Sequence, residues 1–194
     1  MLSGAKLPHD ELSELGSTGQ ICKILVPMAG TGEVIVGKSP LFGPASARAA
    51  LGMEAETYVA RAGEMMNRAR AIVKDNRIQA IGLLEAKRFR LCNHFSRYQI
   101  FKHTQIFNPV IEHAPASSKV VARAMKVDCI ELGETFSRYT NRWIGLECKD
   151  WTDYRQDMLL TTEMMQENIN AEIRAIRQLL MISSLYADCG AVQI

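Results

Sequence analysis

From Ala47 onward, apolar residues recur at the three- and four-residue spacing of amphipathic helices, whereas the chain before this point shows no such period. The spacing predicts four long helices. The first three lie at about 54–74, 78–112 and 118–142, and the fourth ends at about 185. Long amphipathic helices with short connections favour an all-α fold, an antiparallel four-helix bundle. In the last helix, the predicted core stripe consists of Met158, Met165, Ile169, Ile176 and Leu179.

Short polar stretches separate these helices. The sequence KDNR at 74–77 is typical of a turn, although one continuous helix through it is the alternative. Ser117 or Ser118 is placed to cap the third helix, and Asp150 or Thr152 the fourth, since these side chains accept hydrogen bonds from free backbone amides.

The residues before the bundle have a different composition. Residues 1–46 contain four of the six prolines and two β-branched runs, ICKILV (21–26) and EVIVG (33–37), compatible with a short β-hairpin. We therefore divide the chain into an N-terminal arm (1–46), a bundle (47–186) and a C-terminal tail (187–194).

Overall composition and charge exclude several classes of protein. The chain is 47% hydrophobic and 23% charged, with a net charge of +2, so no strong overall field favours nucleic acid or membranes. No apolar run approaches a membrane span, and the chain does not open like a signal peptide. The five cysteines are odd in number and lack CxxC spacing, which favours reduced thiols in the cytoplasm.

Three of the four histidines lie in one stretch of the second predicted helix, HFSRYQIFKHTQIFNPVIEH (94–113). No two of them have the four-residue spacing that lets two imidazoles share a metal from one helix. Only His103 falls on the inward stripe of its helix, so the histidine cluster is not a metal site by itself.

A polar seam inside the bundle is the better candidate. His103 on the second helix, Asp128 on the third and Glu172 on the fourth each fall on an inward stripe, which makes one imidazole and two carboxylates the candidate metal ligands of this seam. The alternatives are a hydrogen-bonded or ion-paired buried cluster, or an exposed position at the edge of the seam. Supporting polar residues are Gln99, Asn168 and Glu85.

The end of the second helix, HFSRYQIFKHTQIFNPVI, resembles the second helix of haemerythrin-like proteins, and the similarity covers about residues 55–182. That resemblance implies a four-helix bundle and, in the family, a His, a Glu four residues later and a closing Phe-Pro. Aligned on Pro109, the family's His and Glu positions hold Gln99 and His103.

Other positions of this resemblance depart further from an iron centre. Aligned on Phe107, the same two positions hold Tyr98 and Lys102. On the fourth helix the equivalent positions hold Asn168 and Glu172, so only a carboxylate is retained. The resemblance therefore implies a ligand-depleted relative: we expect no cofactor, with iron or another divalent metal as the alternative.

Charge is distributed unevenly along the chain. Residues 61–102 carry ten basic and three acidic side chains, whereas residues 128–172 carry ten acidic and four basic ones. Either neighbouring helices neutralise each other, or the molecule has two faces that dock a protein partner or a second copy. The sharpest basic cluster, Lys87, Arg88 and Arg90, is a candidate partner-binding patch, but it is too short and lacks the aromatic residues for us to expect nucleic-acid binding.

These patterns favour a regulatory or protein-interaction module without enzymatic activity, built on a haemerythrin-like bundle. The alternative is a metal- or oxygen-binding sensor of the di-iron type, or a small-molecule binder, that uses the polar seam. No Ser-His-Asp order, HExxH motif or glycine-rich phosphate loop indicates catalysis.

Overall fold

A computed structural model describes residues 41–188, with side chains placed for residues 41–182. This part of the chain is all-α and contains no strand. A π-helical segment (Lys102–Phe107) joins the second helix to the third, and short 3-10 turns (Ile78–Ala80 and Cys148–Asp150) precede the second and fifth. The helices are α1 (Ala45–Lys74), α2 (Ile81–Phe101), α3 (Asn108–His113), α4 (Ala116–Arg142) and α5 (Trp151–Asp188).

The predicted arm and tail fall largely beyond this range. Both β-branched runs of the arm lie outside the described residues, as do residues 189–194.

Each long helix packs against two others: α1 against α5 and α2, and α4 against α5 and the α2–α3 pair. Between α1 and α5 the partners run in opposite order along the chain. Arg155 Nε donates to the carbonyl of Val73 over 3.0 Å, whereas Arg177 pairs with Glu56 over 2.8 Å at the far end. The apolar stripe predicted for the last helix is buried between these neighbours.

The starts of α1, α4 and α5 differ from the prediction. Helix α1 begins at Ala45, nine residues earlier than expected, in an alanine-rich stretch with high helix propensity. Helix α4 follows Pro115 directly, so neither Ser117 nor Ser118 caps it, and Ser118 is buried instead. Asp150 accepts from the Glu147 backbone amide within the 3-10 turn and does not begin α5 directly.

The predicted turn at 74–77 is confirmed, and it ends α1. Asn76 adopts a φ of 55°, a left-handed conformation that asparagine tolerates better than most residues. Its Oδ1 accepts a hydrogen bond of 2.7 Å from the indole Nε1 of Trp151, which ties the turn to the start of α5.

Two substitutions of Asn76 separate the contribution of its backbone conformation to stability from the contribution of its side-chain hydrogen bond. Asn76→Gly keeps the backbone unstrained but removes the acceptor of the buried Trp151, so we expect a loss of about 1 kcal/mol of unfolding free energy. Asn76→Ala adds left-handed strain and should lose about 1 kcal/mol more. Urea denaturation measures both losses, and equal losses for the two variants would contradict the role of the backbone conformation.

Within residues 41–188, no helix combines the length and the apolar content needed to cross a membrane.

Candidate functional site

The π-helical segment turns two neighbouring polar side chains into the interior. Phe101, Lys102 and His103 follow one another in the chain and are only 6%, 3% and 0% exposed. Three consecutive residues of an α-helix span about 200°, so they seldom share one buried face. The π-helix, which has a wider turn than an α-helix, begins at Lys102. Short π-helical turns of this kind are often found at functional sites.

Lys102 forms an ion pair with Glu172 inside the helical assembly. Its Nζ lies 2.6 Å and 2.7 Å from the two carboxylate oxygens, and the two side chains are 4% and 11% exposed. The same ammonium group lies 4.2 Å from the ring centroid of Tyr98, a favourable cation–π position. The Glu172 carboxylate on α5 is therefore neutralised by Lys102 of the π-helical segment.

A small cavity adjoins this ion pair. It is lined by Tyr98, Gln99, Lys102 and Cys129 together with apolar side chains, and its volume of ≈ 20 Å³ suits one water-sized molecule. The Tyr98 hydroxyl is buried next to Glu172, and Gln99 Nε2 donates to the carbonyl of Cys129 over 3.4 Å.

The phenol of Tyr98 and the thiol of Cys129, which line the cavity, are held in their neutral forms. Burial raises the pKa of the Tyr98 phenol, and the negative charge of Glu172 adds to this effect. Burial likewise raises the pKa of the Cys129 thiol, against the nearby charge of Lys102. Neither group is a ready nucleophile at neutral pH.

His103 lies fully buried beside this cluster, as the sequence predicted. Neither ring nitrogen has a hydrogen-bond partner, and the ring centroid lies 5.7 Å from that of Phe107. Burial lowers the pKa of His103 to about 4, and the positive charges of Lys126 and Lys102 act in the same direction. The imidazole is therefore neutral at physiological pH.

The other predicted ligands do not join His103. Asp128 is exposed, because the neighbouring Cys129 takes the inward position on α4, so its predicted inward placement was wrong. Asn168 and Glu85 are also exposed, and Asn168 Nδ2 donates to the carbonyl one turn earlier in its own helix. Among the described residues, no group of three or more His, Cys, Asp or Glu side chains could hold a metal ion.

The predicted basic patch is not a continuous surface. Lys87 is half-buried and Arg90 exposed, but Arg88 is buried and donates through Nη2 to the carbonyl of Trp143. Its guanidinium lies 5.6 Å from the ring centroid of Tyr154, so Arg88 joins α2 to the start of α5. The burial of Arg88 removes the central member of the predicted partner-binding patch.

His94 lies where α2 packs against α1. Its Nε2 lies 2.8 Å from the carbonyl oxygen of Tyr58, and the two rings pack with centroids 5.4 Å apart. Burial lowers the pKa of His94, opposed by this hydrogen bond and assisted by the charges of Arg61 and Arg97. The hydrogen bond and the ring contact together join α2 to α1 at this point.

Lys102 and Tyr98 are the residues that sequence reasoning missed as members of the site. The sequence did contain one signal for them: when the haemerythrin-like pattern is aligned on Phe107, Tyr98 and Lys102 stand at the positions of the family's metal ligands. A π-helical turn has no comparable signature in sequence.

No family model, curated protein or solved structure matches this chain. The resemblance to haemerythrin-like proteins therefore stays a prediction from the sequence pattern.

Proposed function

We propose that the chain is a regulatory or protein-interaction module without enzymatic activity, built on a haemerythrin-like antiparallel four-helix bundle. The observation that carries the proposal is the buried ion pair of Lys102 and Glu172. Glu172 is the one carboxylate that the resemblance retains, and an ammonium group already binds both of its oxygens.

The packing of the helices supports the bundle. Arg88 of α2 donates to the carbonyl of Trp143, the residue directly after α4, and Gln99, eleven residues later in α2, donates to the carbonyl of Cys129 within α4. The contacts between α1 and α5 run in opposite order in the same way. Short connections between such neighbours are what an up-and-down bundle requires.

The arrangement of side chains does not fit a di-iron centre. A carboxylate already neutralised by a lysine is a poor metal ligand, because a metal would have to displace the ammonium and leave a second buried cation. The positive charges of Lys102 and Lys126 near His103 also oppose a metal cation beside that imidazole. With Asp128 exposed, no further carboxylate reaches this region from α4.

One observation favours the second candidate, a metal- or oxygen-binding sensor or a small-molecule binder. Both ring nitrogens of His103 are buried without a hydrogen-bond partner. Buried polar groups usually have a hydrogen-bond partner, so a small ligand could supply one.

Thermal melting with added metal separates the two candidates. We expect the melting temperature of the full chain to be the same with chelator as with ferrous iron, manganese or zinc, since a protein without a metal site gains no stability from the metal. A rise that His103→Ala abolishes and His113→Ala retains would contradict the proposal and favour the second candidate. His113 is a suitable control because its side chain is 61% exposed.

A further inference from the structure

The outer surface of α4 carries an apolar stripe. Val120, Ala124 and Val127 follow one another at the four- and three-residue spacing of one helix face, and all three are exposed. The two valines keep 65% and 52% of their surface in solvent. β-Branched residues form helices less readily than most, so exposed valines in a helix lower its stability unless another surface covers them. We call these three residues the α4 stripe.

Charged side chains flank the centre of the α4 stripe on the same helix face. A helix places Arg123 about 40° to one side of Val127 and Glu131 about 40° to the other. Glu134 lies within about 20° of Val127, on the side of Arg123. All three charged residues are exposed. Within seven residues of Val127 they are the only charged residues on this face, so a base precedes the centre of the stripe and two acids follow it.

These charges lack the partners that a helix usually supplies. Ion pairs within a helix join residues three or four apart, whereas Arg123 and Glu131 are eight apart with Val127 midway between them. Among the described residues, no salt bridge includes any of the three charges. Arg138, the next base along this face, donates through Nη2 to Thr135 Oγ1 over 3.0 Å. A counter-charge for Arg123 therefore has to come from outside its own helix.

The α4 stripe is its own complement when a second copy lies antiparallel to it. A two-fold axis at Val127 places each residue opposite the one that is equally far along the helix on the other side of this position. Arg123 of one copy then faces Glu131 of the other, with Glu134 one turn further along on the same side as Arg123. Symmetry repeats this contact at the other end, and the apolar residues of both stripes meet in the middle.

We infer that α4 docks on α4 of a second copy of this chain, antiparallel and about a two-fold axis at Val127. The inference rests on the proposed interaction role and names the partner. A two-fold contact requires a self-complementary patch, and the order of base, apolar residue and acid along one face meets this requirement. A partner of uniform charge would be attracted by one half of this face and repelled by the other. One helix pair covers less area than a standard interface of about 1,600 Å², so the dimer is weak and reversible.

Sedimentation velocity of the full chain over a concentration series measures the association. We expect a reversible equilibrium of monomer and dimer without larger species, because a two-fold contact uses the stripes of both copies. A chain that stays monomeric up to a concentration of about 1 mM, the dissociation constant of a very weak complex, would overturn the inference.

Single substitutions test the surface. Val127→Glu should weaken the dimer at least about tenfold, because it places two carboxylates opposite each other on the axis, and Arg123→Glu should do so by facing two acids. Met53→Glu is the matched control: this side chain is 62% exposed on α1, so the variant should associate as the wild type does. Thermal melting followed by circular dichroism shows that each variant is folded.

Exchanging the charges tests the antiparallel register. Glu131→Arg with Glu134→Arg should give a monomer, and mixing this variant with Arg123→Glu should restore association, since unlike charges then meet at both ends. A chain with all three substitutions should dimerise by itself as the wild type does. A mixture that stays monomeric would overturn the inference.

A disulfide tests the position of the axis. Val127→Cys should link two copies on mild oxidation, because the two introduced thiols meet on the axis. Val120→Cys lies about 10.5 Å along the helix from the axis, so its two thiols stay about 21 Å apart and should not link. Peptide mapping separates such a link from one through the exposed native Cys148. Equal yields for the two variants would contradict an axis at Val127.

The outcomes separate this inference from the proposed function. A monomeric wild type, or a dimer that Val127→Glu leaves intact, overturns the docking of α4 alone. A metal-dependent rise in melting temperature that requires His103 overturns the proposed function, whatever the sedimentation result.

Discussion

Lys102→Met is expected to lower the free energy of unfolding by about 3 kcal/mol, because it leaves the carboxylate of Glu172 in the interior without its counter-charge. The 11% exposure of the Glu172 side chain places the loss at the lower end for a broken buried ion pair. Chemical denaturation at pH 7 measures it. Glu172→Gln should be destabilising for the reciprocal reason.

The double variant, Lys102→Met with Glu172→Leu, should recover most of the lost stability, since two apolar side chains leave no buried charge. Arg68→Met is the matched control: it breaks an ion pair with Glu64 whose side chains are 72% and 67% exposed, and should change stability by less than about 1 kcal/mol. A Lys102→Met variant as stable as this control would contradict the burial of the pair.

Acid should destabilise the protein through His103. Its pKa of about 4 in the folded chain lies below the ordinary 6.5, so the unfolded chain binds more protons between these values. The contribution of His103 is therefore fully present above pH 6.5 and is lost as the pH falls toward 4, by about 3 kcal/mol in total.

His103→Leu should remove this part of the pH dependence, and at pH 7 it should add about 1 kcal/mol by replacing two unpartnered ring nitrogens with apolar surface. Denaturation midpoints between pH 7 and pH 4 give the comparison, with the exposed His113→Leu expected to keep the slope of the wild type. Parallel curves for His103→Leu and wild type would show that His103 does not titrate as its burial requires.

Periodicity in the sequence predicts the helical class and much of the core, but not every register. On α4, the series Met125, Asp128, Leu132 and the series Met125, Cys129, Leu132 fit a helix equally well. The structure buries Cys129 and exposes Asp128, because burying a thiol requires no counter-charge whereas burying a carboxylate does. Spacing alone could not decide between two adjacent residues.

The candidate site was predicted only in part, for a related reason. His103, Gln99 and Glu172 do lie in or near the interior, as the polar seam indicated. Their chemistry, however, depends on Lys102, which the π-helical segment turns inward next to His103. A regular helical period assigns adjacent residues to directions about 100° apart, so it does not place both on one buried surface.

Iron content per chain is the most direct test of the proposal that the Lys102–Glu172 pair leaves this protein without a metal site. The protein is purified without chelator, loaded with ferrous iron without oxygen, exposed to air and followed by elemental analysis and absorbance. We predict no stoichiometric iron and no oxygen-dependent absorption bands. About two irons per chain with such bands, the content of a di-iron site, would contradict the account, because Glu172 would then have exchanged Lys102 for metal.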